Sequence, residues 1–161
     1  MAETNREWIA FGPECAAEDA AYDVCLRTEA AEGQGMYTIT MISDLEKGFE
    51  KVRHDRIEAA AEKHGFPKRV LRLALDMYKG ARRIKCGDAL SRPIYTAQGV
   101  LAGCPIAMGA LCLAVMDPVD KFLAKQPEGC KVVKVYVDDF TVVYEFDPRL
   151  YTREQAAAHV A

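Results

Sequence analysis

The chain has 161 residues, half of them hydrophobic, and a net charge of −3, which fits one domain of ordinary size with its own core. No apolar run approaches a membrane span, and the start MAETNREWIAFG has neither a basic cluster nor an apolar stretch, so no secretory signal and an intracellular location are expected. The six cysteines (Cys15, Cys25, Cys86, Cys104, Cys112 and Cys130) show no CxxC pairing and no histidines at zinc-ligand spacing, so they read as reduced thiols. A net negative charge is also unusual for a nucleic-acid binder.

In chain order, the Ala-rich stretch 15–31 predicts a helix, with Ala17, Ala21, Val24, Cys25 and Ala31 approximating one apolar face. Glu32-Gly33-Gln34-Gly35 breaks it, and Met36–Ile42 follows as a strand that ends at Ser43-Asp44. A short helical turn is expected at 45–52, then helices at 55–64 and 67–79. Pro67 suits the first turn of the latter, and Val70, Leu71, Leu73, Ala74, Leu75 and Met77 are available for packing. Lys68, Arg69, Arg72, Lys79, Arg82, Arg83 and Lys85 make this middle region basic; most such stretches are solvated faces, and some contact phosphate.

Arg82–Cys86 and Pro93–Thr96 predict a hairpin around Gly87-Asp88. Gly99–Pro105 is a glycine-rich loop before a long apolar helix, about 106–124, which Pro118 should kink or interrupt. After a turn at 126–129, residues 131–146 (KVVKVYVDDFTVVYEF) form two β-type runs flanking Asp138-Asp139, and a last helix begins near Thr152. Helices interleaved with mostly antiparallel strands predict an α+β fold, a sheet with helices packed on one face. There is no repeat, low-complexity tract or linker, so a single domain is expected.

Two adjacent carboxylates repel each other, and strands disfavour Asp. A bound divalent cation would justify the pair, since Mg²⁺ takes hard carboxylate oxygens. Asp-Asp is equally a common turn dipeptide. Asp44, just past the first strand, is a candidate partner; it could also serve as a helix N-cap. If its strand lies beside the 131–146 hairpin, Asp44 and Asp138 meet at one sheet edge.

Several blocks resemble the palm of reverse transcriptases, especially those of non-LTR retrotransposons. Asp44-Leu45-Glu46-Lys47-Gly48-Phe49-Glu50-Lys51-Val52 resembles the family's D-x-x-K-A-F-D-x-V. Gly99-Val100-Leu101-Ala102-Gly103-Cys104-Pro105 resembles G-V-R-Q-G-C-P, and Tyr136-Val137-Asp138-Asp139 resembles Y-x-D-D. Upstream, Phe11-Gly12-Pro13 with Asp19-Ala20 is similar to the approach to the palm. The resemblance covers roughly residues 10–150. It departs at Gly48, Glu50, Leu101-Ala102 and Glu14-Cys15, where the family carries Ala, Asp, Arg-Gln and a basic run.

The resemblance implies a palm-like antiparallel sheet of ferredoxin or RRM type, within a single partial domain over 1–161: the end of the fingers plus the palm, with the other fingers and the thumb absent. It implies an RNA-directed DNA polymerase that adds deoxynucleotides to a primer 3′-hydroxyl with two Mg²⁺ or Mn²⁺ ions. The partners would be an RNA template, a DNA primer and a deoxynucleoside triphosphate, with no membrane. Asp44, Asp138 and Asp139 would be the catalytic and metal-binding carboxylates, with the Leu45 carbonyl completing a metal site. Glu46, Lys47, Gly48 and Phe49 would face the nucleotide, Phe49 screening the sugar 2′ position. Gly99, Gly103 and Pro105 would shape the loop beneath template and base. The isolated chain is expected to be weakly active or inactive. The alternatives are a non-catalytic remnant of a retroelement polymerase and a nucleic-acid-binding α+β module; the latter would need aromatics on central strands, where carboxylates stand instead.

Overall fold

The computed structural model describes residues 6–10, 16–125 and 127–160. Phe11-Gly12-Pro13 and Glu14-Cys15 lie outside the described residues. In chain order the elements are α1 (Ala17–Gly33), β1 (Tyr37–Asp44), α2 (Gly48–Lys51), α3 (His54–Lys63), α4 (Lys68–Lys79), β2 (Lys85–Cys86), β3 (Ala89–Leu90), α5 (Ala107–Ala124), β4 (Cys130–Tyr136), β5 (Asp139–Phe146) and α6 (Arg153–Val160). The α+β expectation holds: six helices and a three-stranded antiparallel sheet lie among the described residues. None of these helices is long and apolar enough to cross a membrane. The described cysteines are all free thiols. The chain forms two compact units, one built on Glu46–Val119 and the other on Asn5–Leu45 with Asp120–Ala161.

The second of these, the sheet unit, has strand order β1-β5-β4. β-branched and aromatic residues dominate β4 and β5, which suits a pleated, packed surface. The central strand β5 has neighbours on both edges, and Val142, Val143 and Tyr144 are consecutively buried, so both its faces are covered. Helix α1 lies against all three strands and α6 against β1. Phe146 anchors one end of β5: its ring stacks near Tyr144 and meets Tyr151 edge-on at 5.2 Å and His159 at 5.8 Å.

One strand-like segment has no counterpart in the sequence reading. Trp8–Ala10 lies parallel to β4 on its outer edge. The Val135 N–H donates to the Trp8 carbonyl (2.7 Å), and the Ala10 N–H donates to the Val135 carbonyl (2.9 Å). Trp8 and Ala10 are buried, and Asp120 accepts hydrogen bonds from the Arg6 guanidinium and from Trp8 Nε1. An otherwise open sheet edge is thereby covered.

The helical unit holds α2, α3, α4, the β2–β3 hairpin and most of α5. Helices α3 and α4 pack together, burying Ile57, Ala60 and Ala61 on one and Leu71, Ala74, Leu75 and Tyr78 on the other. Val70, Leu73 and Met77 are exposed, so only half of the expected packing set on α4 is core. Of the two expected effects of Pro118, a kink or an interruption, the interruption does not occur: helix α5 runs from Ala107 to Ala124 with Pro118 inside it. The ladder of the 82–96 hairpin is only two residues long on each side, widened by a bridge between Arg82 and Ile94.

Candidate active site

The acidic tip belongs to the sheet unit. Strands β4 and β5 are joined through Val137 and Asp138, with Tyr136 opposite Asp139 across the turn. Val137 has φ 60°. That left-handed value at the first central position, with none at Asp138, is the pattern of a type II′ turn, which normally places Gly there. A β-branched residue in this region is strained by about 1–3 kcal/mol. Val137 is buried, only 9% exposed.

β1 extends two residues beyond the predicted strand and ends at Asp44, whose register partner is Asp139. Residues directly opposite on an antiparallel pair share one face, with Cβ atoms about 4.5–5.5 Å apart, and like charges there repel. The carboxylate placed directly across from Asp44 is thus Asp139, while Asp138 occupies the turn. The Leu45 N–H donates to the Asp138 carbonyl at 3.0 Å, tying the end of β1 to that turn. Asp44 and Asp139 are exposed and Asp138 half-buried.

No ion pair among the described residues involves any of the three. Nor do three His, Cys, Asp or Glu side chains converge among the described residues closely enough to hold an ion. The tip is a pair of facing carboxylates with a third next to it, not a closed cage. Its chemistry fits a divalent cation: hard oxygen donors, solvent access and negative charge that no ion pair among the described residues offsets.

The rest of the first motif, from Glu46, meets the glycine loop within the helical unit. The Val100 N–H donates to the Phe49 carbonyl (2.7 Å), and the Gly99 N–H donates to the Val52 carbonyl (2.7 Å). Gly99 has φ 86°, and a Cβ there would sit 2.8 Å from the Glu50 carbonyl oxygen, so only Gly allows this approach. Lys47 adopts a left-handed conformation before α2, and the N–H groups of Glu46, Lys47, Gly48 and Phe49 have no backbone acceptor among the described residues. Phe49 is half-buried rather than core, and Gly48 is buried. Gly103 also has positive φ, 85°, and Pro105 is exposed. Lys51 pairs with Glu46 at 2.9 Å on the surface.

Two supporting residues escaped the sequence reading. His54 is buried, and its Nε2 lies 2.8 Å from the Gly99 carbonyl, bracing the glycine loop from the start of α3. Its signal was only its place two residues after the first motif. Tyr78 donates from its hydroxyl to the Cys104 sulfur at 3.1 Å. That bond, with backbone N–H groups at the start of α5, holds the Cys104 thiol below its ordinary range; burial pushes the Tyr78 hydroxyl far above its own.

A family model for reverse transcriptase (RNA-dependent DNA polymerase) matches residues 6–157. The match takes in most of the chain and all three motifs, and the chain belongs to the reverse transcriptase family. No curated protein matches it.

Proposed function

We propose that this chain carries the palm chemistry of a reverse transcriptase of the non-LTR retrotransposon type, extending a DNA primer along an RNA template. The observation that carries the reading is the register placing Asp44 opposite Asp139, with Asp138 adjacent in the turn. Asp44, Asp138 and Asp139, with the Leu45 carbonyl, would hold two Mg²⁺ or Mn²⁺ ions. Such ions, when bound, stabilise the attacking and leaving oxygens of a phosphoryl transfer.

The chain's own groups supply position and selectivity. The free N–H groups of Glu46–Phe49 are donors for triphosphate oxygens. The half-exposed Phe49 ring would exclude a 2′-hydroxyl and so favour deoxynucleotides. Gly99, Gly103 and Pro105 would shape a side-chain-poor floor for template and base. A second reading, a family member that keeps the fold without catalysis, draws on exposed Leu101 and Ala102, where the family carries Arg-Gln.

Isothermal titration of Mn²⁺ into wild type and Asp138→Ala tests the assignment. Saturable binding that weakens at least about tenfold in the variant supports it, about 1.4 kcal/mol being one decade. Equal binding by both proteins removes the site.

A further inference from the structure

The β2–β3 hairpin projects from the helical unit with almost every residue from Arg83 to Tyr95 exposed. A two-stranded hairpin alone is marginally stable in water. This one is held by its Gly87-Asp88 turn, the Arg82–Ile94 bridge and bonds between Ile84 and Ser91. Its charge is one-sided: Arg82, Arg83, Lys85 and Arg92 against the single acid Asp88, in a chain whose net charge is −3.

These four cations are not neutralised. Arg82 donates to the Tyr78 carbonyl (3.1 Å) and Arg83 to the Ser91 carbonyl (3.2 Å), and no ion pair among the described residues uses any of the four. In the same unit Lys51, Arg53, Lys63, Lys68 and Lys79 are each paired with a carboxylate, while Arg56, Arg69 and Arg72 on the helices are, like the hairpin cations, in no ion pair among the described residues. Arg83 and Arg92 flank the short ladder, and Lys85 lies within it. Apolar groups accompany the charge: Tyr95 is 69% exposed, Ile84 65% and Leu90 58%.

We infer that this hairpin is an arm that binds single-stranded nucleic acid, its cations on phosphates and Tyr95 stacked on a base. Un-neutralised Arg and Lys beside an exposed aromatic are what a flexible polyanion with π-faces requires. The acidic tip of a second copy would match the charge of this arm but offers no base for Tyr95 to stack on. The identity of the strand as RNA template rests on the reverse transcriptase reading; the binding surface does not, because it uses none of the residues of the acidic tip.

Fluorescence anisotropy of labelled oligouridylate with the full chain, in EDTA and without nucleotide, tests it. Wild type should bind with a Kd that rises steeply with salt. Arg83→Gln/Lys85→Gln/Arg92→Gln should weaken binding at least about tenfold and flatten the log–log salt slope by about 2, three contacts at about 0.7 each. Tyr95→Ala should weaken it about tenfold with the slope unchanged. The assay contains EDTA and no nucleotide, so failure of the catalytic assignment leaves this result standing. Because the Gln changes break no ion pair, far-UV circular dichroism should superimpose. Absence of binding by wild type, or equal affinity and slope in the Gln variant, overturns the inference. So does a change in sedimenting mass without a change in RNA affinity, which would assign the arm to a second copy.

Discussion

The chain holds two tight hairpins of opposite character. The β4–β5 turn carries Val137 at φ 60° and opens onto Asp138 and Asp139; the β2–β3 turn carries Gly87 at φ 58° and opens onto a basic, exposed arm. Both need a left-handed residue at the same turn position. Only one supplies glycine. The acidic hairpin tolerates strain because its strands are locked into a packed sheet, whereas the basic one has no core to hold a strained turn and uses the residue that needs none. Strain stored where chemistry is proposed, and relaxed geometry where the chain merely reaches outward, is the pattern expected when a scaffold over-determines its site.

The largest expected effect breaks this comparison at its base. Phe146→Ala removes a fully buried ring from the acidic hairpin and should cost about 3–5 kcal/mol in urea unfolding. Leu90→Ala on the exposed arm should stay within about 0.5 kcal/mol. Similar losses from both would mean the basic hairpin is as well packed as the acidic one.

Next comes an exchange of turn residues. Gly87→Val puts a branched side chain at positive φ with nothing within 4 Å, so the change is purely backbone strain, about 1–2 kcal/mol. Amide exchange at Ser91 and Ile94 should then quicken about tenfold or more, one decade per 1.4 kcal/mol. Val137→Gly relieves comparable strain but exposes the cavity of a buried Val, so net stability should move by under about 1 kcal/mol. A large loss there would show that Val137 is not strained.

The smallest effect separates the units by pH. Asp117 in the helical unit accepts from Lys63 Nζ at 2.6 Å and faces His64 Nε2 at 2.8 Å, and chiefly the Lys63 bond holds its carboxyl below the ordinary value near 3.8. A depressed carboxylate stabilises the fold above its unfolded pKa, and that contribution fades as pH falls through the lower folded value. The group is partly exposed and Lys63 mostly so, which screens the pair to under about 1 kcal/mol. Asp117→Asn should therefore flatten the acid limb of unfolding below about pH 4, and an unchanged limb would contradict it.

Much of this was legible in the sequence, for physical reasons. The runs around Asp138-Asp139 alternate as paired strands must, Gly87-Asp88 is a turn dipeptide, and Gly33, Gly65 and Gly80 fall at or next to helix ends. The meeting of Asp44 with the acidic hairpin was expected on the condition that its strand lies beside that hairpin, as it does, but the register partner is Asp139 rather than the expected Asp138. Register depends on how many residues β1 extends, and Ser43-Asp44 read as the strand's exit although the ladder runs to Asp44. Trp8–Ala10 was illegible because three residues carry no periodicity, and its place depends on an edge supplied by β4 far along the chain. The exposed Val70, Leu73 and Met77 show the reverse: apolar residues at helical spacing cannot say which side of α4 is covered.

The central claim is that Asp44 and Asp139 are held face to face against their own repulsion because a cation belongs with them. Thermal unfolding of wild type and Asp44→Asn, with and without Mn²⁺, tests this most directly. Without the ion, Asp44→Asn should melt higher, by about 0.2–1 kcal/mol of relieved repulsion. With Mn²⁺, wild type should rise with ion concentration by mass action and overtake a variant that does not respond. Equal responses to Mn²⁺, or a lower melting temperature for the metal-free variant, would contradict the account.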